Sequence, residues 1–297
     1  MEKFTIGADG GNQRLGKFLG RLLPAAPKSL VQKLLRKKVI LLNGARAEAA
    51  QMLAAGDEIV IFLAADTFAA LGAKKAAAPP GGRVDAIYED DFILIANKPA
   101  NLLTQPNAPG GDSLLGRVRA AAEGDFAPVA INRLDRNTTG LVIFAKTLAA
   151  AQILSEIFRK RDIGKIYLGM VCGKINENLD LTGFHTKDAA QNRATISDFG
   201  NGKISKTRAE PLEYFPKSNT TLLRIELITG HSHQIRAHLA SIGHPIVGDG
   251  KYGAKPGRRP LLHAHQIRFN APPPPLQYLK NRHFEAAIPK DIILFCK

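Results

Sequence analysis

INRLDRNTTGLVIFAK, residues 131–146, sets one carboxylate, Asp135, between Arg133 and Arg136 and then runs through Thr138, Thr139 and Gly140 into an apolar stretch, residues 141–145. Such a run reads as a buried strand, so the acid sits on the lip of one. A carboxylate at a loop, paired with one of its flanking arginines, is the bland account. Whether it suffices depends on what lies around it.

Downstream, LAAAQILSEIFRKR carries Ile153, Leu154, Ile157 and Phe158 on one side of a helix. GKIYLGMVCGKI, TRAEPLEYF and TTLLRIELIT are rich in β-branched and apolar residues and read as strands. HSHQIRAHLASIG reads as a helix ending near Gly243, and LLHAHQIRF as a last strand before a four-proline run. Upstream, VDAIYED and DFILIANKP read as two strands joined at Asp90-Asp91, and SLLGRVRAAAEG as a helix. Strands and helices do not alternate strictly. The expected class is therefore α+β, with a largely antiparallel mixed central sheet flanked by helices over residues 84–297.

The N-terminal part reads as a separate small α/β module over residues 1–68. In RLGKFLGRLL, Leu15, Phe18, Leu19, Leu22 and Leu23 form a single helical stripe. Ser29 is the expected cap of a second helix, SLVQKLLRKK, whose Leu30, Val31, Leu34 and Leu35 share one face. From Lys28 to Lys38 there are five basic residues and no acid. VILLNGAR then holds a tight hairpin at Asn43-Gly44, and AAGDEIVIFL turns at Gly56-Asp57 into another strand. Residues 69–83 lose periodicity, end in Pro-Pro-Gly-Gly, and read as a linker.

The chain has 297 residues, 45% of them hydrophobic, enough for a large domain and a small one. Its two cysteines, Cys172 and Cys296, stand at no metal-ligand spacing, which argues against a disulfide framework and fits a reducing cytoplasm. Neither a leader-like N-terminus nor a membrane-spanning apolar run is present. The formal net charge of +15 points to a polyanionic partner, nucleic acid before membrane, since no basic amphipathic segment carries aromatic anchors.

Three further residues bear on Asp135. Tyr167 lies within a strand. Arg236 lies in a helix beside apolar Ile235 and Leu239, and an arginine facing a core needs an acidic partner. Leu262 precedes a His-x-His. NRLDRNTTG, KIYLGMVCG, TGHSHQIRAHL, GHPIVGDGKYG and LLHAHQIRF, in this order, resemble the RluA-type family of pseudouridine synthases. APKSLVQKLLRKKVILLNG with LAAGDEIVI resembles an S-four-type RNA-binding domain, as in the large-subunit rRNA branch of that family.

The resemblance implies the pseudouridine synthase fold and isomerisation of uridine in RNA, with large-subunit rRNA as substrate. Asp135 matches the catalytic aspartate and Arg236 the arginine that pairs with it. Tyr167 matches the aromatic residue against the target base, Arg133 the residue that fills the space left by the extruded uridine, and Leu262 a contact to the uracil face. Lys28, Lys33, Arg36 and Lys37 fall on the basic helix of the RNA-binding domain. Neither a cofactor nor a metal is implied, because the reaction involves no redox change or phosphoryl transfer. A monomer is the default expectation. The family commonly has His, Arg and Thr where Asn132, His231 and Ser232 stand here.

Two other readings compete. His231/His233 and His263/His265 have the spacing of metal-ligand pairs, without a third ligand at a convincing distance. A non-catalytic RNA-binding factor would use the same basic surface, but Asp135, Tyr167 and Arg236 together argue for chemistry.

Overall fold

The computed structural model describes residues 1–7, 11–72, 83–107, 111–122, 126–188 and 190–295. In the N-terminal part, β1 (Glu2–Thr5), β2 (Gln13–Arg14), α1 (Leu15–Leu22), α2 (Lys28–Arg36), β3 (Ile40–Leu42), β4 (Ala45–Arg46), β5 (Met52–Leu53), β6 (Glu58–Ile61) and α3 (Ala65–Gly72) follow in order. A four-stranded sheet, β1-β6-β3-β4, carries α1 and α2 over a core of Leu15, Leu19, Leu35, Ile40, Ile59 and Ile61. The Asn43-Gly44 hairpin has a two-residue loop with positive φ at both positions, 49° and 73°, which suits the twist of its strands.

Two details depart from expectation. Helix α2 starts at Lys28 with Pro27 as its N-cap, so Ser29 lies inside the first turn; the fixed backbone of Pro27 sets the entry instead. Residues 65–72 form a helix, so 69–72 of the expected linker are helical, and Phe68 and Leu71 pack on the N-terminal core. Low polarity contrast in ADTFAALG hides its period. Residues 73–82 of the expected linker lie outside the described residues.

The rest of the chain builds one large sheet. Its elements are β7 (Ala86–Glu89), β8 (Ile93–Lys98), α4 (Leu114–Ala121), β9 (Val129–Ala130), β10 (Thr139–Ala145), α5 (Leu148–Lys160), β11 (Ile163–Cys172), β12 (Leu179–Asp188), β13 (Arg193–Ser197), β14 (Lys203–Phe215), β15 (Thr220–Leu227), α6 (Gln234–Ser241), β16 (Leu262–Phe269), β17 (His283–Glu285) and α7 (Lys290–Phe295). The strand order is β13-β12-β14-β15-β11-β16-β10-β8-β7, with β17 beside β16 and β9 beside β10. Among the described residues, only β10 and β16 pair in parallel.

All seven residues of β10 are buried, because both faces of the sheet are covered. Leu141, Ile143 and Ala145 pack with Leu154 and Ile157 of α5. Val142 and Phe144 pack with Leu115 of α4 and Leu239 of α6. The β12–β13 hairpin was not read from sequence. It forms one edge of the sheet and is largely exposed, so its apolar alternation is weak. Pro211, inside β14, sits at a β-bulge, where a missing N–H is tolerated.

Candidate active site

Asp135 lies on the loop between β9 and β10, and that loop is clamped throughout. The Thr104 hydroxyl accepts from the Leu134 N–H and donates to the Leu134 carbonyl, both at 3.1 Å. Asn132 donates to the Leu141 carbonyl at 3.1 Å and accepts from the Ile143 N–H at 2.8 Å, so it fastens the loop to β10. Beneath the loop, fully buried Lys98 donates to the carbonyls of Pro99, Leu102 and Arg136 at 2.8, 2.8 and 3.0 Å. Burial pulls the Lys98 ammonium down to about 7, against the opposing pull of Asp135. In its charged form its three donors match the three acceptors.

At the loop's end the chain enters β10 through Gly140, at φ 111°. A Cβ there would lie 2.1 Å from the Ala264 oxygen of β16, so only glycine fits the crossing.

The flanking arginines are not Asp135's partners. Both are exposed. Asp135 Oδ2 instead accepts from Arg236 Nη1 at 3.0 Å, across 101 positions of sequence. Arg236 is only 8% exposed, yet most of its bonding goes elsewhere. Its Nε and Nη2 donate to the two oxygens of buried Asp249, at 2.6 and 2.8 Å. Burial alone would lower the Arg236 pKa, but Asp249 and then Asp135 outweigh it and leave it raised. The Tyr252 ring covers the guanidinium at 4.9 Å.

His233, in a left-handed backbone conformation just before α6, places Nε2 3.8 Å from Asp135 Oδ1 and Nδ1 3.1 Å from the Tyr252 hydroxyl. Burial lowers the His233 pKa, with Asp135 opposing, which favours the neutral ring. Tyr252 in turn accepts the Ala194 N–H at 2.8 Å, linking this cluster to the β12–β13 hairpin.

Arg133, Asp135, Tyr167, Arg236 and Leu262 all line one cleft of about 1080 Å³. Tyr167 is almost completely buried on β11, and Leu262 opens β16 beside it. Burial, then the charge of Asp135, raises the Tyr167 pKa, so its hydroxyl keeps its proton at neutral pH. Arg133 is exposed at the rim. Lys28, Lys33 and Arg36 on α2, and Lys37 at its C-terminal cap, are all exposed and do not belong to this cleft.

Residues 92–241 match the RNA pseudouridylate synthase family. Ribosomal large subunit pseudouridine synthase C of Vibrio vulnificus is 32% identical, covering 90% of this chain and 88% of its own. The chain belongs to the RNA pseudouridine synthase family. The Escherichia coli protein of the same name is also 32% identical over 90% of the chain. An uncharacterized RNA pseudouridine synthase of Mycoplasma pneumoniae is 34% identical over 84%. In fold, the chain matches Human RNA Pseudouridylate Synthase Domain Containing 4 (TM-score 0.56, 19% identity, 70% of this chain and 90% of that one). It also matches Human RNA Pseudouridylate Synthase Domain Containing 1 (0.55, 22%, 73% and 96%). This RNA pseudouridine synthase is accordingly an isomerase, on the expected α+β fold.

Sequence reasoning missed Asp249, Lys98, His233 and Tyr252 as site residues. Asp249 and Tyr252 stand in GHPIVGDGKYG, the stretch already singled out, where an acid among glycines reads as a turn residue. The histidine pairs are engaged by protein groups. His263 meets the Thr139 hydroxyl at 2.8 Å and His265 the Ala286 carbonyl at 2.9 Å. His231 meets the Ile204 carbonyl at 3.1 Å. Among the described residues, no three His, Cys, Asp or Glu side chains are grouped to hold a metal, and no helix is long and apolar enough to cross a membrane.

Proposed function

We propose that this synthase isomerises uridines of large-subunit ribosomal RNA, with Asp135 as the catalytic carboxylate acting on a base turned out of its helix. The observation that carries the reading is the Asp135 carboxylate, 27% exposed in a roomy cleft and fixed by Arg236 opposite Tyr167 and Leu262. The reaction breaks the C1′–N1 bond, turns the uracil, and forms a C1′–C5 bond; N1 gains a proton and C5 loses one. No atom is gained overall, so the protein must supply a carboxylate that can add to the sugar or base, or remove a sugar proton, and then leave.

Stacked bases hide the reacting atoms, which requires extrusion. Tyr167 and Leu262 then offer apolar surface to the two sides of the base, and Arg133 at the rim fills the gap in the helix. Tyr167, protonated in the free enzyme, acts as a hydrogen-bond donor to the turning uracil. Large-subunit rRNA as substrate, and with it a cytoplasmic location, is supported by the relatives that are ribosomal large subunit pseudouridine synthases. The N-terminal module, residues 1–68, joined through a linker at 69–83, grips RNA by backbone and shape through Lys28, Lys33, Arg36 and Lys37. The enzyme works as a monomer without cofactor or metal.

Asp135→Asn tests the assignment. Turnover, followed as tritium released from 5-tritiated uridine in an rRNA transcript, falls by a factor on the order of 10²–10⁴ or more, while RNA affinity stays near wild type. Undiminished tritium release would remove Asp135 from the chemistry. Mapping pseudouridines in rRNA of a deletion strain tests the substrate.

A further inference from the structure

The cleft is lined by eight lysines and arginines against two aspartates. Both aspartates are already bound to Arg236. Of the eight cations, Arg236 and Arg259 are engaged with carboxylates. Arg133, Arg136, Lys187, Lys251 and Arg258 are exposed to solvent. That leaves Lys165.

Lys165 is partly buried on β11, two residues before Tyr167 on a continuous strand, so the two side chains leave the same face and line the same cleft. Among the described residues, its ammonium has no hydrogen-bond acceptor and no carboxylate. It faces the Phe158 ring, whose centroid lies 6.0 Å from Nζ. Burial draws its pKa down to about 8, and the like charge of Arg161 adds to that. Opposite lies Gly230; a Cβ there would stand 3.8 Å from Nζ, so the absence of a side chain keeps the approach to the ammonium open.

An ammonium held partly out of water with nothing to bond is a cost to the free protein. An anion entering the cleft removes that cost most fully, and the anion every nucleotide of an RNA substrate carries is its phosphodiester. Resting on the reading that this cleft receives an everted uridine, we propose that Lys165 binds a backbone phosphate of that nucleotide. Tyr167 holds the base on the same strand, so one element fixes both ends of the substrate unit.

The test measures binding of an in-vitro large-subunit rRNA transcript by anisotropy at several salt concentrations. Lys165→Met lowers the log–log salt slope by roughly 0.7–0.9, the share of one phosphate contact, and raises KM by a larger factor than it lowers kcat. Lys165→Arg keeps the wild-type slope. Lys165→Met melts no lower than wild type, because it removes a cation that has no partner. Lys165→Gln serves as a second neutral variant should the methionine protein fold poorly. An unchanged slope in the neutral variants, or a lowered melting temperature with binding intact, overturns the anchor. Tritium release by the wild type on the same transcript tests the underlying reading separately. Modification by the wild type, with unchanged salt slopes in the variants, sinks the anchor alone.

Discussion

The basic face of α2 and the arginine of α6 hold positive charge in opposite ways. On α2 and its C-terminal cap, Lys28, Lys33, Arg36 and Lys37 are exposed, and among the described residues none is within ion-pair distance of a carboxylate. On α6, Arg236 is buried and bonded to two carboxylates at once. The first arrangement costs the fold almost nothing and suits work by number, since each such charge placed on a phosphate would displace a counterion. The second costs desolvation and works by geometry, since a buried cation must have every donor satisfied. Under the proposed function, one surface would supply grip and the other would aim Asp135.

The difference can be broken most forcefully at Asp249. Asp249→Asn strips Arg236 of its main partner and leaves a buried guanidinium half unpaired, which costs about 3–5 kcal/mol of stability. It also frees Arg236 to turn away from its 3.0 Å contact with Asp135, so tritium release falls as well. Urea unfolding below 1 M urea loss of midpoint, with full turnover, would show that Asp249 neither supports nor aims the arginine.

Neutralising Lys28, Lys33, Arg36 and Lys37 together should act the other way round. The salt slope of RNA binding drops by roughly three, four contacts at 0.7–0.9 each, while unfolding changes by no more than about 0.5 kcal/mol per site. A large loss of stability with unchanged slope would erase the contrast.

Lys98 sharpens it at a third position, through pH. Its ammonium titrates near 7 in the folded chain and near 10.5 when unfolded. Between those values the unfolded chain holds a proton that the folded one has released, so this lysine's contribution to stability rises with pH. The slope is at most about 1.4 kcal/mol per pH unit. Urea midpoints at pH 7, 8 and 9 should show a smaller pH-dependent rise in Lys98→Met than in wild type; identical slopes would mean that Lys98 keeps its proton throughout.

What was legible in the sequence follows the same division. Amphipathic stripes on α1 and α2, the buried run of β10 and the basic face are local patterns, and each lies where the spacing placed it. The mixed, mostly antiparallel sheet followed from the order of those patterns. Arg236 announced itself as an arginine among apolar neighbours that had to find an acid. The resemblance paired it with Asp135, and that bond forms; its second acid was not legible. The flanking Arg133 and Arg136 looked like Asp135's partners and are not, while Asp249, the stronger bond of Arg236, looked like a turn residue. Lys98, next to Pro99, reads as an exposed strand end; only the folded loop shows three carbonyls converging on it. The β12–β13 edge escaped notice because solvent covers most of it, leaving little hydrophobic pattern to read.

The position of β16 has a consequence for how this enzyme comes into being. β16 is the last long strand in the chain, yet it lies in mid-sheet, between β10 and β11. During synthesis the segment carrying Asp135 and the segment carrying Tyr167 therefore emerge from the ribosome without the strand that joins them. Thr139 must wait for His263, 124 positions later, before the crossing at Gly140 can close. Pairings this distant form late and slowly. A nascent chain thus lacks one wall of the cleft until residues 262–269 have been made, and a truncation before residue 262 removes the seam of the sheet with it.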